Sequence, residues 1–452
     1  MRITVLAVGS RGDAQPYMAL GMGLQQAGHE VKIATHEVFR EMVTERGLEF
    51  GLIRLNPQEM LKQEAGQAWM EAGKNPLRFI RHMARAFAPL LHEMLTDCLH
   101  ACEGSDVVLI SPLAIAALPA VERVGARAML VTLWSNLPTH DYPSLYAPTL
   151  PFGGPIAGLH NRLTYDLAAL PKRLFGRPIW QALDRWQREV LRVDPMSADQ
   201  LRRRMLSGEW PMLAGYSPSV FPRPSDWPEW VHVTGYWFLN AEPAWQPPAT
   251  LVDFLQAGPA PVYIGFGSMA GRNPQRRGEI AVKALEQSGQ RGILLTGWGG
   301  LQPNDLPDSV LAVDSVPHDW LFPRMAAVVH HGGAGTTAAG LRAGKPTVVA
   351  PFFGDQPFWG RRVAELRVGP DPIPQKKLSV EKLAGAIRSA TDDGDMHRRA
   401  QELAQWIRAE DGIGRAVELV HRFATREQQV FAVKAVPESV PGAAHRFEWE
   451  GS

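Results

Sequence analysis

The sequence predicts an α/β protein made of two doubly wound units, each a parallel sheet covered by helices on both faces. Three observations predict it. Short apolar runs alternate with amphipathic stretches, the pattern of buried parallel strands joined by crossover helices. That alternation occurs twice, on either side of a stretch rich in proline and tryptophan. And a chain of 452 residues is too long for a single hydrophobic core.

The elements follow in order. "RITVLAVG" reads as the first strand, leading to a helix from about Pro16 to Ala27. "HEVKIAT" is a second strand, "VFREMVTERG" a helix and "LEFGLIRL" a third strand. "DVVLISP", the helix "AIAALPAVERVG" and the strand "ARAMLVTL" continue the first unit, assigned to residues 1–230. "FPRPSDWPEW" and "AEPAWQPPAT" disfavour regular structure, and residues 231–248 are assigned to an interdomain linker. The second unit, residues 249–410, holds the strands "APVYIGFGSM", "RGILLTGW", "SVLAVDSVP", "AAVVHHGG" and "KPTVVAPF". Residues 411–426 read as a last helix, and residues 427–452 lose periodicity and read as a loosely held tail.

Residues 161–204 stand apart as a basic helical insertion carrying Trp180 and Trp186, with Trp210 just beyond. One reading packs the aromatics on the first domain and leaves the arginines in solvent. The other makes the insertion a lid over an apolar acceptor, or a peripheral contact with an anionic membrane surface.

Composition excludes some classes. Hydrophobic residues make up 45% and charged residues 21%, and the net charge of +1 offers no global field for nucleic acid. Cys98 and Cys102 fall on one helical face, which supports neither a disulfide framework nor a cysteine zinc site and fits a reducing cytoplasm. The first apolar run ends at a glycine turn without a cleavage pattern, and no uninterrupted apolar run approaches the ~18 residues of a membrane span. The expected location is cytoplasmic, with at most a peripheral place at the inner membrane face.

The most informative stretch is "VVHHGGAGTTAAGLRAGKPTVVAPFFGDQ", Val328 to Gln356. Adjacent strand residues point to opposite faces, so His330 and His331 do not easily share a metal ion, and no third ligand stands at zinc spacing. A glycine turn between a strand and a helix start offers unpaired N–H groups, a partial positive charge and the hydroxyls of Thr336 and Thr337, which together make an anion site. The plainer reading is that the glycines only permit a tight turn. The stretch lacks the GK[ST] of a phosphate-binding Walker loop, and "GMGLQQAG" places its GxG inside the first helix rather than at a strand–helix turn.

"HHGGAGTTAAGLRAGKPTVVAPFFGDQPFWGRRV" resembles the donor-binding signature of UDP-sugar-dependent glycosyltransferases of the GT-B fold, in the sterol 3-β-glucosyltransferase and bacterial natural-product branch. "VGSRGDAQPYMALGMGLQQAGHEV", "TGYWF", "GFGSM", "TGWGGL" and "SVPHDWLFP" are similar to other motifs of that branch, in the same order, over roughly residues 1–425. The resemblance implies two Rossmann-like domains facing a central cleft, with the last helix crossing back to the N-terminal domain. It implies that His331 contacts the donor phosphates and that Gly333, Gly335 and Thr336 hold the diphosphate. Gly267 and Ser268 match the Gly-Ser turn beside it, and Val316 and His318 match the segment that binds the base. Relatives in plants carry a tryptophan near the start of that segment, where this chain has Ser315, so Trp298 is the candidate to stack on the base. Asp355 and Gln356 match the pair that binds sugar hydroxyls. His331 then faces the phosphates while His330 packs or caps the strand.

Many members place a catalytic histidine three residues before the proline of the first helix; here that position is Asp13, before Pro16. The implied reaction is displacement at the anomeric carbon of a nucleotide sugar, with Asp13 as base and no metal or other cofactor. The competing reading of Asp13 is the helix N-cap. Acceptor contacts are expected from Ser10 and from Trp134, His140 and Tyr142 in "LWSNLPTHDYPSLYAP", and the implied acceptor is apolar: a sterol, another lipid or a polyketide or polyphenol aglycone. The alternatives are another GT-B activity, such as epimerisation, or nucleotide-sugar binding without catalysis.

Overall fold

The computed structural model describes residues 1–54, 84–134, 137–145, 147, 150, 154–267, 274–296, 301 and 306–425, the side chains of 169–175 apart. The segment 427–452 and the predicted site residues Ser268 and Trp298 lie outside the described residues.

Seven parallel strands form the first sheet: β1 (Arg2–Leu6), β2 (Glu30–Thr35), β3 (Glu49–Leu52), β4 (Val107–Ile110), β5 (Arg127–Thr132), β6 (Met212–Ala214) and β7 (Val231–Val233), in the order β3-β2-β1-β4-β5-β6-β7. β1 is buried on both faces. Ile3 and Val5 pack under α1 (Arg11–Gln26), while Leu6 and Val8 pack toward α2 (Leu91–Cys102). The second sheet has five parallel strands, β8 (Val262–Gly265), β9 (Gly292–Leu295), β10 (Val310–Val313), β11 (Val328–His330) and β12 (Thr347–Val349), in the order β10-β9-β8-β11-β12. Both orders reverse direction once, at β1/β4 and at β8/β11, and these reversals open crevices at the strands' carboxyl ends where ligands of such sheets bind.

The structure corrects three expectations. Residues 231–233 were assigned to the linker, yet they form β7 and pair with β6 from Met212↔Val231 to Ala214↔Val233. α1 begins at Arg11, not near Pro16, which sits inside the helix. Asp13 is therefore not the N-cap; Ser10 is, and Asp13 occupies the third helical position.

The helical insertion consists of α3 (Pro155–Phe175), α4 (Arg177–Trp186) and α5 (Ala198–Ser207). Its tryptophans are not a contact surface: Trp186 and Trp210 are buried, Trp180 packs against the same core, and the Trp186 indole N–H donates to Thr96 Oγ1 at 3.0 Å. Cys98 and Cys102 are both buried and unbridged on α2.

Helices α6 (Pro274–Ser288) and α9 (Val380–Asp392) cover one face of the second sheet; α7 (Ala334–Arg342), α8 (Gln356–Glu365) and α10 (Gly394–Ala409) complete the unit. The final helix α11 (Gly412–Thr425) returns to the first domain. Its Ile413 and Val417 occupy the space a side chain at Gly23 of α1 would need, Ala416 and Val420 join the first core, and the Arg127 guanidinium donates to the Phe423 carbonyl at 2.9 Å. The "GMG" within α1 thus serves close packing, since Gly21 likewise faces Ile33.

Candidate active site

Asp13 reaches the crevice because β1 ends in a tight turn. Gly9 adopts φ +143°, and the Asp13 carboxyl packs directly on it: a Cβ at Gly9 would lie 2.5 Å from Asp13 Oδ2. The Ser10 amide and hydroxyl both donate to Oδ2, at 2.8 and 2.9 Å, and Oδ1 has no donor among the described residues. Burial raises the Asp13 pKa and the two Ser10 bonds partly oppose the rise. The result is a half-buried carboxylate with one oxygen held and the other open to the cleft. Ser10, predicted as an acceptor contact, instead directs its hydroxyl to Asp13.

Across the cleft, β11 ends in His330 and is followed by the glycine turn and α7. His331 lies between two turns. A Cβ at Gly333 would sit 2.6 Å from its Nε2, and one at Gly267, which has φ +58°, would sit 3.3 Å from its Cε1. The buried Nδ1 of His331 has no partner among the described residues, and burial lowers its pKa to about 4, so the ring is neutral near pH 7. A Cβ at Gly335 would meet nothing within 4 Å; the space above it is open to a ligand. The two threonines divide. Thr337 is buried and donates to the Gly333 carbonyl at 2.9 Å, whereas Thr336 has no protein hydrogen bond among the described residues.

The Asp355 carboxylate accepts from the Trp359 indole N–H at 2.9 Å, and its pKa is raised to about 6, by burial first and with Asp13 among the causes. The two predicted acids therefore face each other closely enough to interact. Gln356 is only partly available. Its Oε1 accepts from the Phe352 and Phe353 amides at 2.8 and 3.3 Å and fixes that loop, leaving the amide nitrogen for another group. His318 stacks on Phe322 at 4.2 Å with its pKa lowered to about 4, by burial first and then by the Arg11 charge. The Val316 side chain points into the core beside Tyr263, which leaves only its backbone to a ligand.

The remaining acceptor candidates have protein partners. His140 Nδ1 and its backbone N–H both lie 2.8 Å from Asp226 Oδ2, tying one loop to another. Tyr142 packs at a tilt against Phe221 at 4.2 Å, and Phe221 meets Phe358 of α8 at 5.3 Å, so Tyr142 belongs to the packing between the domains. Trp134 is half-buried, packed against both cores of the first domain.

Three residues escape the sequence reading or exceed it. His36, buried at the end of β2, accepts the Gly9 N–H on Nε2 at 3.0 Å, and its Nδ1 lies 3.2 Å from the Ile53 carbonyl. His330 does the same in the other domain: its Nδ1 accepts the N–H of Gly332, a residue at φ +89°, at 2.8 Å. An imidazole nitrogen accepts only when unprotonated, and burial lowers both pKa values. Arg11, at the start of α1, is half-buried with no acid partner among the described residues, and its charge reaches His318 across the cleft. No local pattern marks His36, because its partner is 27 positions away.

Known proteins share parts of this sequence and its fold. Residues 3–118 match the model of the glycosyltransferase family 28 N-terminal domain, and residues 300–413 match the erythromycin biosynthesis protein CIII-like C-terminal domain. A sterol 3-beta-glucosyltransferase of Cryptococcus neoformans var. neoformans serotype D is 37% identical over 449 residues, covering 93% of this chain and 27% of the relative. The chain thus spans about a quarter of the length of that curated relative. Among solved structures, the glycotransferase of kitacinnamycin superposes with TM-score 0.65 at 21% identity, over 93% of this chain and 98% of that one. The glycosyltransferase VinC in complex with dTDP gives TM-score 0.64 at 21% identity, over 94% of this chain and 100% of that one. The chain thus shares the two-domain GT-B fold of these solved glycosyltransferases, and joins a region matching the glycosyltransferase family 28 N-terminal domain to one matching the erythromycin biosynthesis protein CIII-like C-terminal domain.

Proposed function

We propose that this chain is an inverting, metal-independent glycosyltransferase that moves a hexose, glucose in the first instance, from a nucleoside diphosphate sugar to a hydroxyl of an apolar acceptor such as a sterol, lipid or aromatic aglycone. One observation carries the reading: a carboxylate with one free oxygen, Asp13, faces an unfilled glycine turn at a helix start in the other domain. The acceptor oxygen bonds to the anomeric carbon while the bond from that carbon to the diphosphate oxygen breaks. The hydroxyl proton passes to Asp13 Oδ1. A single displacement with base and leaving group in opposite domains inverts the anomeric centre.

An ordinary carboxylate is a weak base toward an alcohol, so transfer is late, and the raised Asp13 pKa brings base and proton closer in affinity. The departing diphosphate meets the N–H groups and dipole of α7, the Thr336 hydroxyl and the His331 ring, with Arg11 as a permanent cation on the opposite wall. A neutral His331 acts as a hydrogen-bond donor and not as a charge. Asp355 and the Gln356 amide supply polar contacts to the sugar, and the backbone around Val316 with the His318 ring bounds the base. The sterol 3-beta-glucosyltransferase relative supports an apolar acceptor and the dTDP-bound neighbour a nucleoside diphosphate donor.

The test is Asp13→Asn, which keeps the Ser10 contacts in size but abolishes the base. Product formation from UDP-glucose or dTDP-glucose, followed by mass with a sterol and polyphenol panel, should fall by ~10²–10⁴-fold. Melting shifts with UDP or dTDP should persist. Unchanged turnover would remove Asp13 from the mechanism.

A further inference from the structure

Helix α3 is amphipathic the wrong way round for a helix that only packs. Its inward residues are small or polar: Ala157, Asn161 and Thr164 are buried, the Asn161 amide donates to the His140 carbonyl at 2.8 Å, and Thr164 Oγ1 accepts the Ser144 N–H at 2.8 Å. Its outward residues include Ile156, Leu159, Leu163 and Leu167, exposed by 72%, 59%, 50% and 67%. At ~100° per residue these four fall in one stripe ~80° wide. A stripe of four large apolar side chains held in water on a helix fixed by polar contacts marks an interaction face.

Charge indicates what covers it. Residues 155–208, which hold α3, α4 and α5, carry ten lysines and arginines against five acids, a net of +5, while the whole chain carries +1. The positive charge of the protein is thus concentrated in the insertion that bears the stripe. Arg162 borders the stripe on α3, and Arg202 and Arg203 lie on α5, which faces α3 through the Arg202–Asp166 pair at 3.5 Å. A folded protein partner would need a matched acidic groove; an anionic bilayer surface supplies both an apolar interior for the leucines and a sheet of negative headgroups for the arginines.

We propose that α3 lies in the surface of an anionic lipid bilayer, with Ile156, Leu159, Leu163 and Leu167 inserted below the headgroups. The proposal deepens the reading of an apolar acceptor, because a lipid-dissolved acceptor must be collected at such a surface, but it is tested apart from transfer. The probe is co-sedimentation of the full chain with vesicles of phosphatidylcholine containing phosphatidylglycerol, against vesicles of phosphatidylcholine alone. The expected result is binding to the anionic vesicles that weakens with salt. Leu159→Ser with Leu163→Ser and Leu167→Ser should weaken it by at least ~10-fold, since three inserted apolar side chains are lost. These side chains are exposed, so the melting temperature and turnover of a water-soluble acceptor should stay at the parent values. Absence of vesicle binding by the parent protein, or equal binding by the triple variant, overturns the proposal. So does a parent protein that self-associates through this face, seen as a dimer in sedimentation velocity that the triple variant abolishes. Failure of all glycosyl transfer with vesicle binding intact would sink the proposed function and leave this inference standing.

Discussion

Gly9→Ala puts the placement of the Asp13 carboxylate to a direct test without touching the carboxylate itself. The new methyl carbon would lie 2.5, 2.7 and 2.8 Å from Asp13 Oδ2, Cγ and Cβ. Unstrained heavy-atom contacts need about 3.5–4.0 Å, so the carboxyl must retreat by about 1 Å and surrender its short bonds to Ser10. A displacement of about 1 Å in a reacting group costs ~10²-fold in rate. Holding alanine at φ +143° adds strain of order 1–3 kcal/mol, a fall of only a few degrees in melting temperature. Steady-state kinetics should therefore show kcat down ~10²-fold with donor KM nearly unchanged, because the donor turn sits in the other domain. The same substitution in an Asp13→Ala background should add almost nothing. A kcat within a few-fold of the parent, or a full second loss on top of Asp13→Ala, would refute the assignment of Gly9 as the seat of the catalytic carboxylate.

The other predictions concern the donor side and acidity. His330→Ala leaves the buried Gly332 N–H without an acceptor, a cost of roughly 1–3 kcal/mol; donor KM should rise, and His330→Asn, whose carbonyl can accept the same bond, should restore most of it. Thr336→Val should weaken nucleoside diphosphate binding several-fold by calorimetry with stability unchanged, whereas Thr337→Val should lower the melting temperature and leave binding alone, because of the two only Thr337 bonds within the fold among the described residues. Stability should fall on acidification from about pH 6.5 toward 4. His36, His318, His330 and His331 all have folded pKa values depressed from 6.5, to about 4 at His318 and His331, so the unfolded chain takes up protons there that the native state refuses. Asp355, raised to about 6, and Asp13 work in the opposite sense, but the histidines outnumber them. Melting curves across that range that stay flat or rise would refute this balance.

Much of the architecture and of the candidate donor site is legible in the sequence, because both depend on local pattern. A strand, a glycine turn and a helix start are contiguous, so His331, Gly333, Gly335, Thr336 and Gly267 could be placed at strand tips without the fold. The strands Met212–Ala214 and Val231–Val233 could not: three residues among prolines and tryptophans carry no periodicity, and only pairing with a neighbour defines them. The start of α1 was hidden because Pro16 imitates a helix beginning while the capping serine stands six residues earlier. The support of His36 for Gly9, and of Phe221 and Phe358 for Tyr142, joins residues far apart in the chain, which spacing does not encode. The leucines of α3 show a helical stripe in the sequence, but a periodic stripe alone does not say whether it faces core or solvent.

The return of α11 to the first domain has a mechanical meaning. The chain passes between the domains twice, and the two passages touch: the Trp237 indole N–H donates to the Gly412 carbonyl at 3.2 Å, and Gly412 lies against Gly235. Glu410 beside them accepts from the hydroxyls of Ser217 and Ser219 at 2.7 and 2.8 Å. Two tethers stitched side by side behave as the pin of a door. They restrain drifting and sliding of the domains where the two passages touch, and a swing about that line disturbs these contacts least. The separation of Asp13 from the glycine turn after β11 would follow that swing, within the limits set by the Tyr142–Phe221–Phe358 packing between the domains.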